Sequence, residues 1–121
     1  MRGYYKKLSV YQDALSLVDM SYVMIQTFPV WEKNNPSDQL RRASTSVALN
    51  IAEGSGRQST RDYIKFLQIA LGSINEIEAI TEIARRQNLI LEITYQKFSR
   101  HLSKIRWKLI RLIKSTPVKE E

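Results

Sequence analysis

Between Lys97 and Lys114 the chain places seven Lys and Arg residues and no acid. Lys97, Arg100, Lys104, Lys108 and Arg111 follow one another at steps of three, four, four and three. On a helix that spacing lines side chains along one face. Trp107 projects beside this stripe rather than into the apolar repeat of the same segment. Cations beside an aromatic ring can hold phosphates and stack a base. The same pattern also serves as a solvated face, with Trp107 packed on a neighbouring helix or subunit.

A second candidate is the stretch NIAEGSGR, Asn50 to Arg57. A glycine-rich turn that opens a helix can cradle an anion, and Arg57 and Arg61 flank this one. It has no GKS or GKT and no strand precedes it, so it is not a phosphate loop of the nucleotidase type. The other reading is an architectural turn between two helices. Gly54 or Gly56 is expected to end the preceding helix in the left-handed conformation that glycine tolerates. Asn50 and Glu53 are expected to tie neighbouring helices together by hydrogen bonds.

Other chemistry has little to stand on. The one histidine, His101, has Phe98 three residues before it, whereas di-iron bundles need paired Glu-x-x-His motifs. No cysteine is present, which excludes disulfides and thiolate metal sites. No GxSxG elbow occurs. Neither an enzyme, a cofactor nor a metal site is expected. Glu76 and Glu78 fall in apolar sectors of their helix, where a charge is costly unless paired. A buried pair with Arg41, Arg42 or Arg57, or an oligomer contact, is expected; the other reading is a polar site inside the protein.

These residues must be positioned by helices. The 121 residues suggest one domain spanning 1–121, with a formal charge of +7 and a pI near 9.8. That balance invites a polyanion such as RNA or DNA, or an acidic protein. No signal peptide or membrane-length apolar run is read, so a cytoplasmic protein is expected. Leu8, Tyr11, Leu15, Val18, Tyr22 and Ile25 predict a first helix over 8–28. Asn35, Pro36 and Asp38 open a second over 36–54, with Leu40, Ala43, Val47 and Ile51 inward. Ser59 caps a third over 60–88, with Tyr63, Leu67, Ala70, Ile74 and Ile77 as its main stripe. Tyr95, Phe98, Leu102, Ile105, Leu109 and Leu112 predict a fourth over 93–115, and 116–121 reads as a disordered tail. The fold class is all-α, an antiparallel up-and-down four-helix bundle. The third helix is more apolar than one core requires, so Phe66, Ile69, Ile80 and Ile83 are assigned to an oligomer interface.

The run RRASTSVALNIAEGSGRQSTRDYIKFLQIALGSINEIEAI resembles the four-helix-bundle proteins encoded in intervening sequences of bacterial large-subunit ribosomal RNA genes. QLRRA, NIAEG, the following GR, FLQIALGS and INEIEAI carry the resemblance, which covers most of residues 7–114. The superfamily includes the accessory variability determinant protein of diversity-generating retroelements. The resemblance implies a pentameric ring without established enzymatic activity, and a glycine turn that is mainly architectural. For the retroelement branch it implies nucleic-acid binding and association with a reverse transcriptase. The start of the fourth helix, LEITYQK, departs from the Ser or Asp that members often carry there. The expected function is a non-enzymatic, oligomeric, basic bundle that binds structured RNA or DNA. The alternative is a protein-interaction scaffold or an accessory subunit of a reverse transcriptase.

Overall fold

The computed structural model describes residues 5–29 and 36–118. After a short 3-10 turn, Tyr5–Lys7, four helices follow: α1 Ser9–Gln26, α2 Asp38–Ser55, α3 Thr60–Arg86 and α4 Glu92–Lys114. Helices consecutive in the chain pack side by side, and α4 closes the ring against α1. The architecture is an all-α four-helix bundle, as expected. Asn35, the expected cap of α2, lies outside the described residues, as do residues 119–121 of the expected tail. Residues 116–118 are not helical, although the Thr116 hydroxyl still donates to the Leu112 carbonyl at 2.7 Å.

The most extensive interface joins α2 and α3. A small residue lets these helices approach closely: Gly54, buried on α2, lies against Phe66 and Tyr63 of α3. The Ser46 and Ser73 hydroxyls hydrogen bond across the seam at 2.9 Å. Asn50 reinforces it by donating to the Ser46 hydroxyl at 2.9 Å and carbonyl at 2.8 Å. Contrary to expectation, neither Asn50 nor Glu53 hydrogen bonds to another helix among the described residues: Asn50 supports Ser46 from within α2, and the Glu53 carboxylate accepts from Arg57 at 2.7 Å.

Gly54 corrects an expectation. Neither Gly54 nor Gly56 adopts a left-handed conformation; Gly56 caps α2 at φ −87°. Gly54 is required for a different reason. A Cβ there would sit 2.7 Å from Phe66 Cβ and 3.3 Å from the Tyr63 carbonyl oxygen. The left-handed residue is found instead after α3, at Asn88, φ 59°. Leu89 N–H donates to the Ala84 carbonyl and Asn88 N–H to that of Arg85, the paired bonds of a Schellman cap. The Ser59 cap forms as expected, its hydroxyl accepting from Asp62 N–H at 3.0 Å.

The inward faces of α2, α3 and α4 follow the expected stripes, though Tyr95 and Leu112 are only half-buried. The stripe of α1 does not. Its buried residues are Val10, Ala14, Leu17, Ser21 and Met24, while Leu15 and Tyr22 are exposed. Apolar residues occupy most of the circumference of α1, so periodicity alone cannot choose a side. Packing turns the smaller Ala14 and Ser21 inward, with the Ser21 hydroxyl buried and unpartnered. Ile80 is also corrected. It belongs to the core, at a recess lined by Pro36, Gln39, Ala84 and Leu89, and not to an outer face.

Gly54→Ala tests the seam. Overpacking a close approach costs about 1–3 kcal/mol, so the midpoint of urea unfolding should fall with the m-value unchanged. Gly56→Ala, where the added Cβ meets only ordinary contact at 3.6 Å, should be far milder. Equal effects of the two would reject the close-approach account.

Candidate nucleic-acid interface

Phe98, Leu102, Ile105 and Leu109 bury one side of α4. Their burial turns Lys97, Arg100, Lys104 and Arg111 outward, all exposed, with Lys108 half-buried at the edge nearest α1. Trp107 projects beside the stripe and stays 57% exposed. The Arg111 guanidinium carbon lies 4.8 Å from the centre of its ring, within the range of a cation–π contact. The structure thus places the six predicted α4 residues on the same side of the protein.

It also brings to them an acid that α4 lacks. Asp13 of α1, with its side chain only 15% exposed, accepts from Lys108 and lies 3.4 Å from Lys104. Lys108 donates to the Ser9 hydroxyl as well. One turn back, His101 Nε2 donates to the Asp13 backbone carbonyl at 2.8 Å, which fixes a proton on that nitrogen because a carbonyl only accepts. Partial burial pushes the Asp13 carboxyl up. The Lys108 hydrogen bond and the charges of Lys104 and Lys108 outweigh it and hold the group below its ordinary value. Asp13 was missed in sequence because α1 and α4 are far apart in the chain. Its only local signal is a charge next to the buried Val10 and Ala14.

The stripe therefore divides. Lys104 and Lys108 share Asp13, whereas Lys97, Arg100, Arg111 and Lys114 have no acidic partner among the described residues. Arg106, on the other flank, binds Glu78 and Asn75 of α3, each at 3.1 Å. That corrects the expected partner of Glu78, which is an exposed interhelical contact rather than a buried one with Arg41, Arg42 or Arg57. Glu76 is exposed and unpaired among the described residues. Geometry explains both: the two acids stand on the outer side of α3, beyond the edge of the core.

The remaining candidates lie on α2, α3 and their turn. Arg57 is engaged by Glu53 and lies over the Phe66 ring at 4.6 Å. Arg61, in the first turn of α3, is exposed and has no ion pair among the described residues. The glycine turn thus presents no cluster of free donors for an anion. Arg41 pairs with Asp38 at 2.7 Å and lies 5.8 Å from the Tyr22 ring centre, while Arg42 is exposed. On α3, Phe66 is half-buried beneath Arg57, whereas Ile69 and Ile83 are 44% and 59% exposed. At the far end, a cavity of about 570 Å³ lies between α1 and the start of α4. Met20, Val23, Met24, Leu89 and Phe98 line it, with Lys97 at its wall. This cavity was not foreseen, because helices distant in the chain and an irregular loop build it.

The model of the 23S rRNA-intervening sequence protein family matches residues 6–111. The chain belongs to that family. A solved relative is a protein of unknown function from the S23 ribosomal protein family of Bacteroides thetaiotaomicron. It is 28% identical, with a TM-score of 0.78 over 87% of this chain and 98% of the relative. No curated protein matches the chain. Among the described residues of this intervening-sequence family member, no helix is long and apolar enough to cross a membrane.

The Asp13 contacts have a pH signature. A carboxyl whose folded value is depressed contributes stability that is present above its unfolded value, about 4, and lost as the pH falls through the folded value. Asp13→Asn should therefore be less stable than the parent near neutral pH. The gap should close as the pH drops below about 4. Urea midpoints across that range check it, and a gap that is constant with pH would reject the charge-based account.

Proposed function

We propose that this chain is a non-enzymatic, homo-oligomeric basic bundle whose α4 face binds RNA or DNA. The observation that carries the proposal is the set of exposed cations, Lys97, Arg100, Arg111 and Lys114, without an acidic partner among the described residues. Elsewhere on the protein some bases are paired with acids, as Arg57 with Glu53 and Arg85 with Glu82. On α4 the flanking cations are so satisfied, Lys104 and Lys108 by Asp13 of α1 and Arg106 by Glu78 of α3. The rest form a positive field that polyphosphate neutralises, with release of counterions from the nucleic acid.

Affinity for an RNA hairpin and a DNA duplex should therefore fall with salt. On duplex DNA each neutralised phosphate contributes a slope of about −0.9 in log affinity against log salt. Reversing Arg100 and Arg111 to Glu together should flatten that slope by about two units and weaken binding to all sequences alike. No binding at low salt, or an unchanged slope, would end this reading.

Self-association is part of the proposal. Ile69 and Ile83 stand exposed on the outward side of α3, and a Cβ added at Gly72 between them would meet nothing within 4 Å. Leu49 of α2 is exposed as well. Covering these residues with other copies would remove apolar surface from water. Ile69→Glu should yield smaller particles by light scattering, with the helical circular dichroism retained. A mass equal to the parent's would reject the assignment.

A second reading, a protein-interaction scaffold, is favoured by one observation. Val23, Leu91 and Ile93 are highly exposed at the end of the bundle that holds the large apolar cavity. Retention of a protein partner by a chain with no affinity for nucleic acid would favour it.

A further inference from the structure

We infer that the α4 face recognises single-stranded nucleic acid, by taking one unstacked base into a recess beside Trp107 with the adjoining phosphate on Arg111. The inference rests on the nucleic-acid reading of α4 and specifies which form of polymer it takes.

The recess measures about 320 Å³ and lies between α4 and the start of α1. Its apolar lining is Leu8, Val10, Leu112 and the Trp107 indole. Polar groups stand around it: the Ser9 and Ser115 hydroxyls, Lys108 and Arg111. Its volume falls at the lower end of the range for small-ligand sites, about 300–1,000 Å³. An apolar slot with one aromatic wall and a few hydroxyls suits a nucleobase, which has two apolar faces and a polar edge.

The charge distribution selects the occupant. Taking about 100° per residue, Arg100, Lys114 and Arg111 project within about 40° of Trp107. They are also cations without an acidic partner among the described residues. Lys104 and Lys108, which Asp13 neutralises, project farther round, towards α1. The free positive charge is therefore concentrated around the exposed ring. Arg111 lies over the indole at 4.8 Å, so a phosphate drawn to Arg111 brings its own base within reach of Trp107. In a duplex the bases are stacked on their neighbours and cannot enter. A single strand, a loop or an unpaired end can present one, and stacking on an aromatic side chain is worth about 1–3 kcal/mol per base.

The chain has two tryptophans, Trp31 and Trp107, so Trp31→Phe leaves Trp107 as the sole indole reporter. The full chain carrying that change is titrated with single-stranded RNA of about 12 nucleotides, a range suited to such grooves. A blunt duplex of the same length, a mononucleotide and polyglutamate are titrated in parallel. The single strand should quench Trp107 fluorescence. Trp107→Ala, read by anisotropy of labelled RNA, should weaken single-strand binding about 10-fold or more. Duplex affinity should change less than about twofold, since only phosphate contacts remain there. Trp107→Phe should restore most single-strand affinity while leaving the duplex unaffected. Because Trp107 is exposed, the fold should survive these changes, with circular dichroism as the control.

Equal losses for single strand and duplex, or single-strand binding without quenching, would overturn the base-recess assignment and leave the phosphate reading standing. A mononucleotide as tight as the oligomer would overturn the polymer as ligand. Equal quenching by polyglutamate would overturn it in favour of an acidic protein. Failure of the parent to bind either nucleic acid at low salt would overturn both readings together.

Discussion

The close approach of α2 and α3 is the constraint on which the rest of the bundle depends. Two helices can come this near only where side chains are small, and the seam supplies Gly54 against Phe66 and Tyr63 and Ser46 against Ser73. At Gly54 no side chain is tolerated, because Phe66 and the Tyr63 carbonyl occupy the space. The hydroxyl pair Ser46–Ser73, held by Asn50, satisfies polar groups at the seam. With α2 and α3 fixed, α1 packs on α2 and α4 on α3, and the two outer helices meet each other. The residues that make the glycine turn conspicuous in sequence thus serve this contact, and its arginine is spent on Glu53 and Phe66.

Where α1 meets α4, electrostatics and architecture are the same contact. His101 anchors to the Asp13 carbonyl, while the Asp13 carboxylate draws in Lys104 and Lys108. A stripe that is uniformly basic along α4 becomes an asymmetric one in three dimensions. Its α1-facing cations hold the bundle together, and its outward cations surround Trp107. The net positive charge that α4 presents is accordingly smaller than the number of its cations. A fully buried ion pair would cost more desolvation than it returned. Here Asp13 and Lys108 are 15% and 26% exposed and Lys104 51%, so the cluster is only partly desolvated and also fixes how α4 sits against α1.

A similar division appears at the far end. Tyr95 donates to Glu82 at 2.8 Å, and Arg85 lies over the Tyr95 ring at 4.6 Å. Arg85 also approaches Glu92 at 3.4 Å. These contacts pin the first turn of α4, which has no side-chain cap of its own. The weak LEITYQK start is thus compensated across the α3–α4 turn, where Asn88 reverses the chain. The helix is thus tied to α3 at its start and to α1 farther along, through Asp13.

Periodicity and punctuation in the sequence determined the four helices, to within about two residues at most ends, and the inward faces of α2, α3 and α4. They also determined that Lys97, Arg100, Lys104, Lys108, Arg111 and Trp107 share a side. These features are legible because they depend on spacing within one helix. The inward face of α1 was not legible, since its apolar residues nearly encircle it and only the space left by the other helices selects Ala14 and Ser21. Ile80, Glu78 and Gly54 were misplaced for the same reason: each is defined by a neighbour on another helix or turn. Tertiary structure alone decided that Asp13 engages two of the stripe's five cations and that a recess opens beside Trp107. Both join residues about ninety positions apart, and no local pattern encodes a distance of that kind.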